Sequence, residues 1–442
     1  MNGKRRLKMK QLTRLFIPIC LETLFYMLSG MVDTLMLSAV GDYAVGAVGT
    51  ANSYIGIFII MFSIISSGMV SVMTQNIGAG RPGVAYQARQ LGLLFNAVAG
   101  VLMAVFLFSG AGAILRMVGI ADALYEPALI DLKIVGGGCI LNAVIPIFSS
   151  YLRAFGYTKQ PLYATIVGNI ANFVMNAVFL FVLHKGVAGV AAATVISKIL
   201  NLCIVLYFSH KLISAKNSTE RIANKTVLGQ IVKVGLPSAC ETALYNVAMM
   251  LVIRFLNQMD AEGLNVTARS YTATISNFSY CVGAALAQAN AIMTGWHIGA
   301  GELEECDRGT KRAAFVGVCV AVCMETAIVL GSGFIMPLFT DNPEMTALVR
   351  KLLAIDIVLE IGRVTNLVFG QALKTSGDAV FPAVIAAVFM FVFAVGGTWL
   401  FGISMGLMAV GAYIGLASDE CVRAVGMVWR WKTGKWRTKK LV

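Results

Sequence analysis

Long apolar stretches, separated by short polar segments, occupy most of the chain. Six precede a polar segment at 210–225, HKLISAKNSTERIANK, and six follow it. They lie near 14–38, 50–75, 90–112, 128–151, 161–183, 186–208, 230–256, 266–294, 312–335, 347–370, 380–401 and 405–427. As α-helices, stretches of this length cross a hydrocarbon layer of about 30 Å. The pattern predicts an all-α integral membrane protein with twelve transmembrane helices.

The two sets of six resemble each other in sequence. IPICLETLFYML (17–28) matches LPSACETALYNV (236–247), and LRAFGYTKQP (152–161) matches LKTSGDAVFP (373–382). VMTQNIGAG also matches IMTGWHIGAG, and the offset between the matching segments is nearly constant along the chain. An even number of spans per copy gives both copies the same orientation in the membrane, as in one class of secondary transporters.

The repeat predicts two pseudo-symmetric six-helix bundles. We expect an N-terminal bundle at 1–209, a cytoplasmic linker at 210–228, and a C-terminal bundle with a basic cytoplasmic tail at 229–442.

The composition supports a membrane location. Only 13% of the residues are charged, about half the share in soluble proteins, and the mean hydropathy is +0.79. Of the 35 Lys and Arg residues, 25 lie on the side of both termini and five on the opposite side. This positive-inside distribution predicts cytoplasmic termini in a multi-pass cell-membrane protein. It also explains the net charge of +13 without a nucleic-acid partner.

Several classes of function are disfavoured. The chain has no GxxxxGK[ST] phosphate loop and no polar segment long enough for a nucleotide-binding domain, so a nucleotide-driven pump is not expected. The nine cysteines are scattered, nearly all in apolar segments, and predict neither a disulfide framework nor a metal site. We expect no enzyme activity and no cofactor.

The first span carries a stripe of polar residues. Glu22, Tyr26, Ser29 and Asp33 follow one another at spacings of 4, 3 and 4. Glu22 and Asp33 differ by only about 20° around the helix. Because a charge at mid-bilayer costs at least about 2.5–3.5 kcal/mol, we expect this stripe to face the bundle interior. The alternative is that these residues only make hydrogen bonds between helices.

The fifth and sixth spans offer possible partners. Asn169, Asn172 and Asn176 recur at i, i+3 and i+7 on one face of the fifth span, and Thr194 lies in the sixth. Asparagines in transmembrane helices also form hydrogen bonds between helices that have only a packing role. That alternative stays open.

The chain resembles the multidrug and toxic compound extrusion (MATE) family, in the superfamily that also contains lipid flippases. The resemblance covers essentially the whole chain, from VDTLMLSAVGDYAVGAVGTAN through QNIGAGR and GNIANFVMNAVFLF to GQALKTSGDAVFP. It implies two six-helix bundles around a central cavity and alternating access. It also implies export of organic, notably cationic, drugs or metabolites in exchange for H⁺ or Na⁺.

The resemblance also implies an ion or proton site at Asp33, Asn172, Asn176 and Thr194. The family has an acid where this chain has Asn176. One carboxylate with neutral oxygens suits a sodium ion, since hard cations prefer oxygen ligands. It equally suits a single proton, so the coupling ion stays open, and no other metal is expected.

The second half differs from the first. Val252 stands at the repeat position of Asp33. Glu241 and Tyr245, in contrast, repeat Glu22 and Tyr26 of the first-span stripe. The tenth span adds further candidates for a cavity: Asp356, Glu360, Arg363 and Asn366. Arg363 is spaced to pair with Glu360 or Asp356, which leaves either a neutralised cluster or one net negative charge that attracts a cationic substrate.

Two rival functions remain at this stage. One is a flippase for lipids or lipid-linked oligosaccharides, which would favour a cationic cavity. The other is a membrane receptor or scaffold that transports nothing. For a transporter, the expected partners are a small organic molecule, H⁺ or Na⁺ and the bilayer, and we expect a monomer.

Overall fold

The computed structural model describes residues 2–118, 120, 122–213, 220–260 and 263–442. These ranges contain helices and no β-strand, so the all-α prediction is confirmed. The α-helices are α1 Asn2–Ser38, α2 Asp42–Gly78, α3 Pro82–Val118, α4 Asp122–Gly137, α5 Cys139–Ala154, α6 Lys159–Ala177, α7 Gly186–Leu212, α8 Asn224–Met259, α9 Leu264–Gly299, α10 Leu303–Ile335, α11 Pro343–Ser376, α12 Val380–Phe389 and α13 Met408–Lys432.

The fourth predicted span is broken into two helices. The axes of α4 and α5 meet at an angle of 41°. The break falls at the end of a run of three glycines, 136–138, where the helix is weakest because glycine loses the most conformational freedom on folding. Each other predicted span corresponds to one helix, so the twelve-span layout fits the fold.

Eight helices of the described chain are long and apolar enough to cross a membrane, and the bent α4–α5 pair makes a ninth. The remaining predicted spans are α9, α11 and α13. All three belong to the second half, and they carry most of its intramembrane polar residues. By composition these three helices carry more polar or charged side chains than an ordinary apolar span, and many of those side chains are buried.

Backbone geometry repeats between the two halves. Left-handed glycines end or begin helices in corresponding places: Gly80 with Gly301, Gly156 with Gly377, and Gly186 with Gly406. A π-helical turn at Val178–Val182 continues α6, and another at Thr398–Ser404 lies at the matching place after α12. The offset between the paired glycines agrees with that of the sequence repeat.

The chain divides into two compact units, Met1–Gly235 and Leu236–Val442. The division falls inside α8, later than the predicted linker at 210–228, of which residues 214–219 lie outside the described ranges. The first turns of α8 pack tightly on α2. A Cβ at Gly235 would lie 1.7 Å from the Ile64 carbonyl oxygen, so only glycine permits this crossing. Gly235 is also the last residue of the first unit.

Candidate functional site

In the first unit, Asp33 lies against two asparagines of α6. Asn176 Nδ2 donates to Asp33 Oδ1 at 2.8 Å and to Asn172 Oδ1 at 3.2 Å. Asn172 is 5% exposed and Asn176 is fully buried, and Asn176 Oδ1 has no partner in the described chain. The predicted juxtaposition of α1 and α6 is therefore present. The carboxylate can accept a proton, and the carboxylate and the free amide oxygen can together ligate a cation.

The other two predicted partners on these spans make separate contacts. Asn169 Nδ2 donates to the Phe25 carbonyl oxygen at 2.9 Å, which ties α6 to the backbone of α1. Thr194 Oγ1 donates to the Val190 carbonyl oxygen at 3.0 Å, within its own helix α7. The structure thus brings Asp33, Asn172 and Asn176 into one hydrogen-bonded chain and leaves Thr194 outside it.

The same ion pair occurs in both halves. Arg153 Nη2 lies 2.5 Å from Glu22 Oε1, and Lys374 Nζ lies 2.7 Å from Glu241 Oε2. Each pair joins the first span of its unit to the fourth, and all four side chains are at most 20% exposed. Glu22 and Glu241 are therefore neutralised at repeat-related positions.

Tyr26 does not lie in the packed interior where the stripe placed it. Its exposed fraction is 74%. Helix α1 packs mainly against α6, with fewer contacts to α2 and α7. Tyr26 lies one turn beyond Glu22 and points in a somewhat different direction around the helix, so the packing leaves it uncovered. Tyr26 therefore lies outside the packed core of the first unit, and its role as a cavity residue stays a prediction.

The second unit contains a polar cavity of about 480 Å³. Five predicted residues line it: Glu241, Tyr245, Asp356, Arg363 and Asn366. Glu360 is fully buried and pairs with Arg363, as its spacing predicted. The cavity has the size range of small-molecule sites.

Helix α13 completes the charge network of this cavity. Glu420 Oε1 lies 3.8 Å from Arg363 Nε and 2.8 Å from Arg423 Nη2, and Glu420 Oε2 accepts from Asn366 Nδ2 at 3.0 Å. The close approach of α11 and α13 requires Gly362, since a Cβ there would lie 2.7 Å from a backbone nitrogen of α13.

Three buried carboxylates converge at one wall of the cavity, where Asp356 lines it. Oxygens of Glu325, Asp356 and Glu360 all lie within 4.8 Å of one another. Both oxygens of Glu325 and one oxygen of each of the other two have no hydrogen-bond partner in the described chain. Arg363 is the basic partner of the group, so the cluster has an excess of acid that favours protons or a cation.

Sequence reasoning missed several ionisable residues: Asp131, Lys198, Glu325, Asp419, Glu420 and Arg423. Lys198 and Glu325 stand inside apolar runs, TVISKILNL and VCMETAIVLG. The rule that drew attention to Asp33 identifies them too when it is applied to every span.

Comparisons with known proteins agree with this fold. The sequence model of the MatE family matches residues 18–178 and 237–400. The chain is 32% identical over 428 residues to an uncharacterised transporter, YisQ, of Bacillus subtilis (strain 168), covering 96% of this chain and 94% of that one. It is 20% identical to the probable multidrug resistance protein NorM of Thermotoga maritima, over 98% and 94% of the two chains.

Among solved structures, the chain is similar to a multidrug resistance MATE family transporter of the MOP superfamily in an outward-facing conformation. The TM-score is 0.84 at 20% identity, over 97% of this chain and 96% of that one.

Proposed function

The chain belongs to the MATE family of membrane transporters, and from that premise we propose that it is an ion-coupled antiporter. In this proposal it exports small organic cations in exchange for H⁺ or Na⁺. It works by alternating access, as a monomer in the cell membrane with both termini in the cytoplasm. It catalyses no chemical reaction and needs no cofactor beyond the coupling ion.

The observation that carries the proposal is the chain of hydrogen bonds from Asp33 through Asn176 to Asn172. Asp33 has no basic group within ion-pair distance in the described chain, unlike Glu22, which is bound to Arg153. An intramembrane carboxylate without a basic partner is costly unless it binds a cation or a proton. Asp33 is therefore our candidate for the coupling ion.

The cavity of the second unit is our candidate for the substrate. Its wall combines aromatic side chains, such as Tyr245 and Tyr280, with paired charges. Asp356 in this wall belongs to the excess of acid that it forms with the buried Glu325 and Glu360. Aromatic rings and net negative charge both favour an organic cation.

Coupling requires only that ion and substrate stabilise different conformations. An ion that neutralises Asp33 changes its hydrogen bonds with α6 and favours the state that releases substrate outward. The return to the inward-open state follows release of the ion into the cytoplasm.

The test uses purified protein in liposomes loaded with the cationic dye rhodamine 6G. An imposed proton or sodium gradient should drive dye movement in the wild type, and the effective gradient identifies the ion. Asp33→Asn should abolish this movement. Asp122→Asn, which changes an exposed acid at the start of α4, is the matched control and should transport normally.

Two outcomes would replace the proposal. Gradient-independent movement of a fluorescent lipid between leaflets, with no dye transport, would indicate a flippase. Dye binding without transport under either gradient would favour a receptor or scaffold. Unchanged transport by Asp33→Asn would refute the assignment of the ion site.

A further inference from the structure

One basic side chain in the wall of the second unit's cavity has no acidic partner in the described chain. The bases that line this cavity are Arg269, Arg363, Lys374 and Arg423. The last three each lie within ion-pair distance of a carboxylate of the same unit. Arg269 does not; its Nη2 contacts Met249 Sδ at 3.7 Å. The function proposed above makes no use of this guanidinium.

Arg269 lies at one end of the cavity, and the ion pair of Lys374 with Glu241 lies at the other. Met249, which Arg269 contacts, stands two turns beyond Glu241 on α8, a rise of about 12 Å. Arg269 is also the first of the α9 residues that line the cavity. The cavity therefore has a basic end whose charge the described chain does not neutralise by an ion pair.

An acid without an ion-pair partner lies in the same wall. Asp356 lines the cavity from α11, and its Oδ2 has no hydrogen-bond partner among the described residues. Arg363 pairs with Glu360 and lies 3.8 Å from Glu420, and no ion pair joins Asp356 to Arg269 within the described ranges. The wall thus presents one acid and one base whose charges stay available to a small molecule.

A guanidinium in such a wall is suited to an anionic group. Its planar N–H donors match the two oxygens of a carboxylate, a geometry that a lysine ammonium does not offer. Small-molecule sites fix the orientation of their ligand by a few polar groups of this kind in a largely apolar wall. A charge in a membrane-spanning helix also needs compensation, and a bound carboxylate supplies it.

We propose that Arg269 is a specificity-determining residue of the cavity and binds a carboxylate on the transported molecule. That molecule then carries a carboxylate as well as its cationic group, and the cationic group lies toward Asp356. The inference deepens the proposed function by naming a second group on the substrate. It rests on that proposal for the claim that the cavity receives the exported molecule.

The test compares two dyes that differ by one carboxylate. Rhodamine 19 has a free carboxylate where rhodamine 6G has an ethyl ester, and both have the same cationic ring system. Fluorescence polarisation with the purified full-length protein in detergent gives a dissociation constant for each dye. The wild type should bind rhodamine 19 about tenfold more tightly, as expected for a hydrogen bond between charged groups.

Variants of Arg269 show whether this preference depends on the guanidinium. Arg269→Gln should remove it by weakening the binding of rhodamine 19, while the affinity for rhodamine 6G changes by no more than about threefold. Arg269→Lys keeps the charge without the planar fork and should retain part of the preference. Arg254→Gln, at an exposed arginine of α8 outside the cavity wall, is the matched control and should bind both dyes as the wild type does.

Three results would overturn the proposal. They are a wild type with no preference for rhodamine 19, an Arg269→Gln variant that keeps the preference, and one that changes the affinity for both dyes equally. The last result would mean that Arg269 only compensates nearby acid such as Asp356. If Arg269→Gln does not fold, the wild-type preference and its partial loss in Arg269→Lys still decide the question.

Export from proteoliposomes separates this inference from the proposed function. If the wild type exports neither dye under any gradient, the proposed function fails. A preference for rhodamine 19 that depends on Arg269 would then still assign the carboxylate to this residue.

Discussion

The two halves of this chain have corresponding helices and turns but differ in the positions of their charged side chains. Both have the same ion pair between first and fourth span, Glu22 with Arg153 and Glu241 with Lys374. In the first unit, Asp33 is joined to neutral amides. At its repeat position, the second unit has Val252, which is fully buried in an apolar core.

The fourth spans differ as well. In the first unit this span breaks at Gly138, and in the second unit α11 runs without interruption through Asp356, Glu360 and Arg363. The repeated ion pairs thus belong to the scaffold that both units share. The charges that only one unit has, Asp33 in the first and Asp356, Glu360 and Arg363 in the second, distinguish the units. We infer a division of labour in which the first unit binds the coupling ion and the second binds the substrate.

The largest effect is expected at Asp33. Asp33→Asn keeps the shape of the side chain but removes the charge that attracts the ion, so gradient-driven export should fall to background. Dye efflux from proteoliposomes measures this. Export above one-tenth of the wild-type rate would show that the first unit does not drive transport.

The next effect is expected at Glu325, where the second unit has its excess of acid. Glu325→Gln reduces the negative charge behind the cavity and should weaken rhodamine 6G binding about tenfold, the equivalent of about 1.4 kcal/mol. It should also raise the unfolding temperature by a few degrees, because three buried carboxylates share one basic partner, Arg363, and repel one another. Fluorescence polarisation and thermal unfolding measure the two. Unchanged dye affinity would remove the acidic cluster from the substrate site.

A smaller and symmetric effect is expected for the repeated ion pairs. Arg153→Met and Lys374→Met should each reduce stability by about 1–3 kcal/mol, since each leaves a mostly buried carboxylate without its partner. Thermal unfolding in detergent reports the change. If only one variant is destabilised, the pair is not part of the common scaffold.

The smallest effect is expected at Thr194. Its hydroxyl bonds to the carbonyl of Val190 in its own helix, so Thr194→Val should change ion-driven export less than threefold. A loss as large as that of Asp33→Asn would mean that Thr194 turns toward Asp33 during the cycle, and the site would then have to include it.

Local patterns in the sequence predicted much of this molecule. Long apolar runs predicted the helices, and the repeat predicted which helices of the two halves correspond. The i, i+3, i+7 spacing placed Asn172 and Asn176 on one face. The spacing of Glu360 and Arg363 likewise predicted a contact along one helix, which the structure contains.

Contacts between distant helices could not be predicted in this way. Lys198 meets Asn142, and Asn366 meets Glu420, between helices that are far apart in the sequence, where no periodicity applies. The break at Gly138 had a signal in three successive glycines, but local spacing predicts neither its angle of 41° nor the approach of Val195 from α7. The exposure of Tyr26 could not be predicted either, because a stripe gives a direction around a helix without giving the neighbour that covers it.

Equilibrium binding of rhodamine 6G to the Asp33→Asn variant in detergent tests the division of labour most directly. The account predicts an affinity within about twofold of the wild type in a protein that no longer exports the dye under any gradient. A variant that loses dye binding together with export would contradict it, because ion and substrate would then share the first unit.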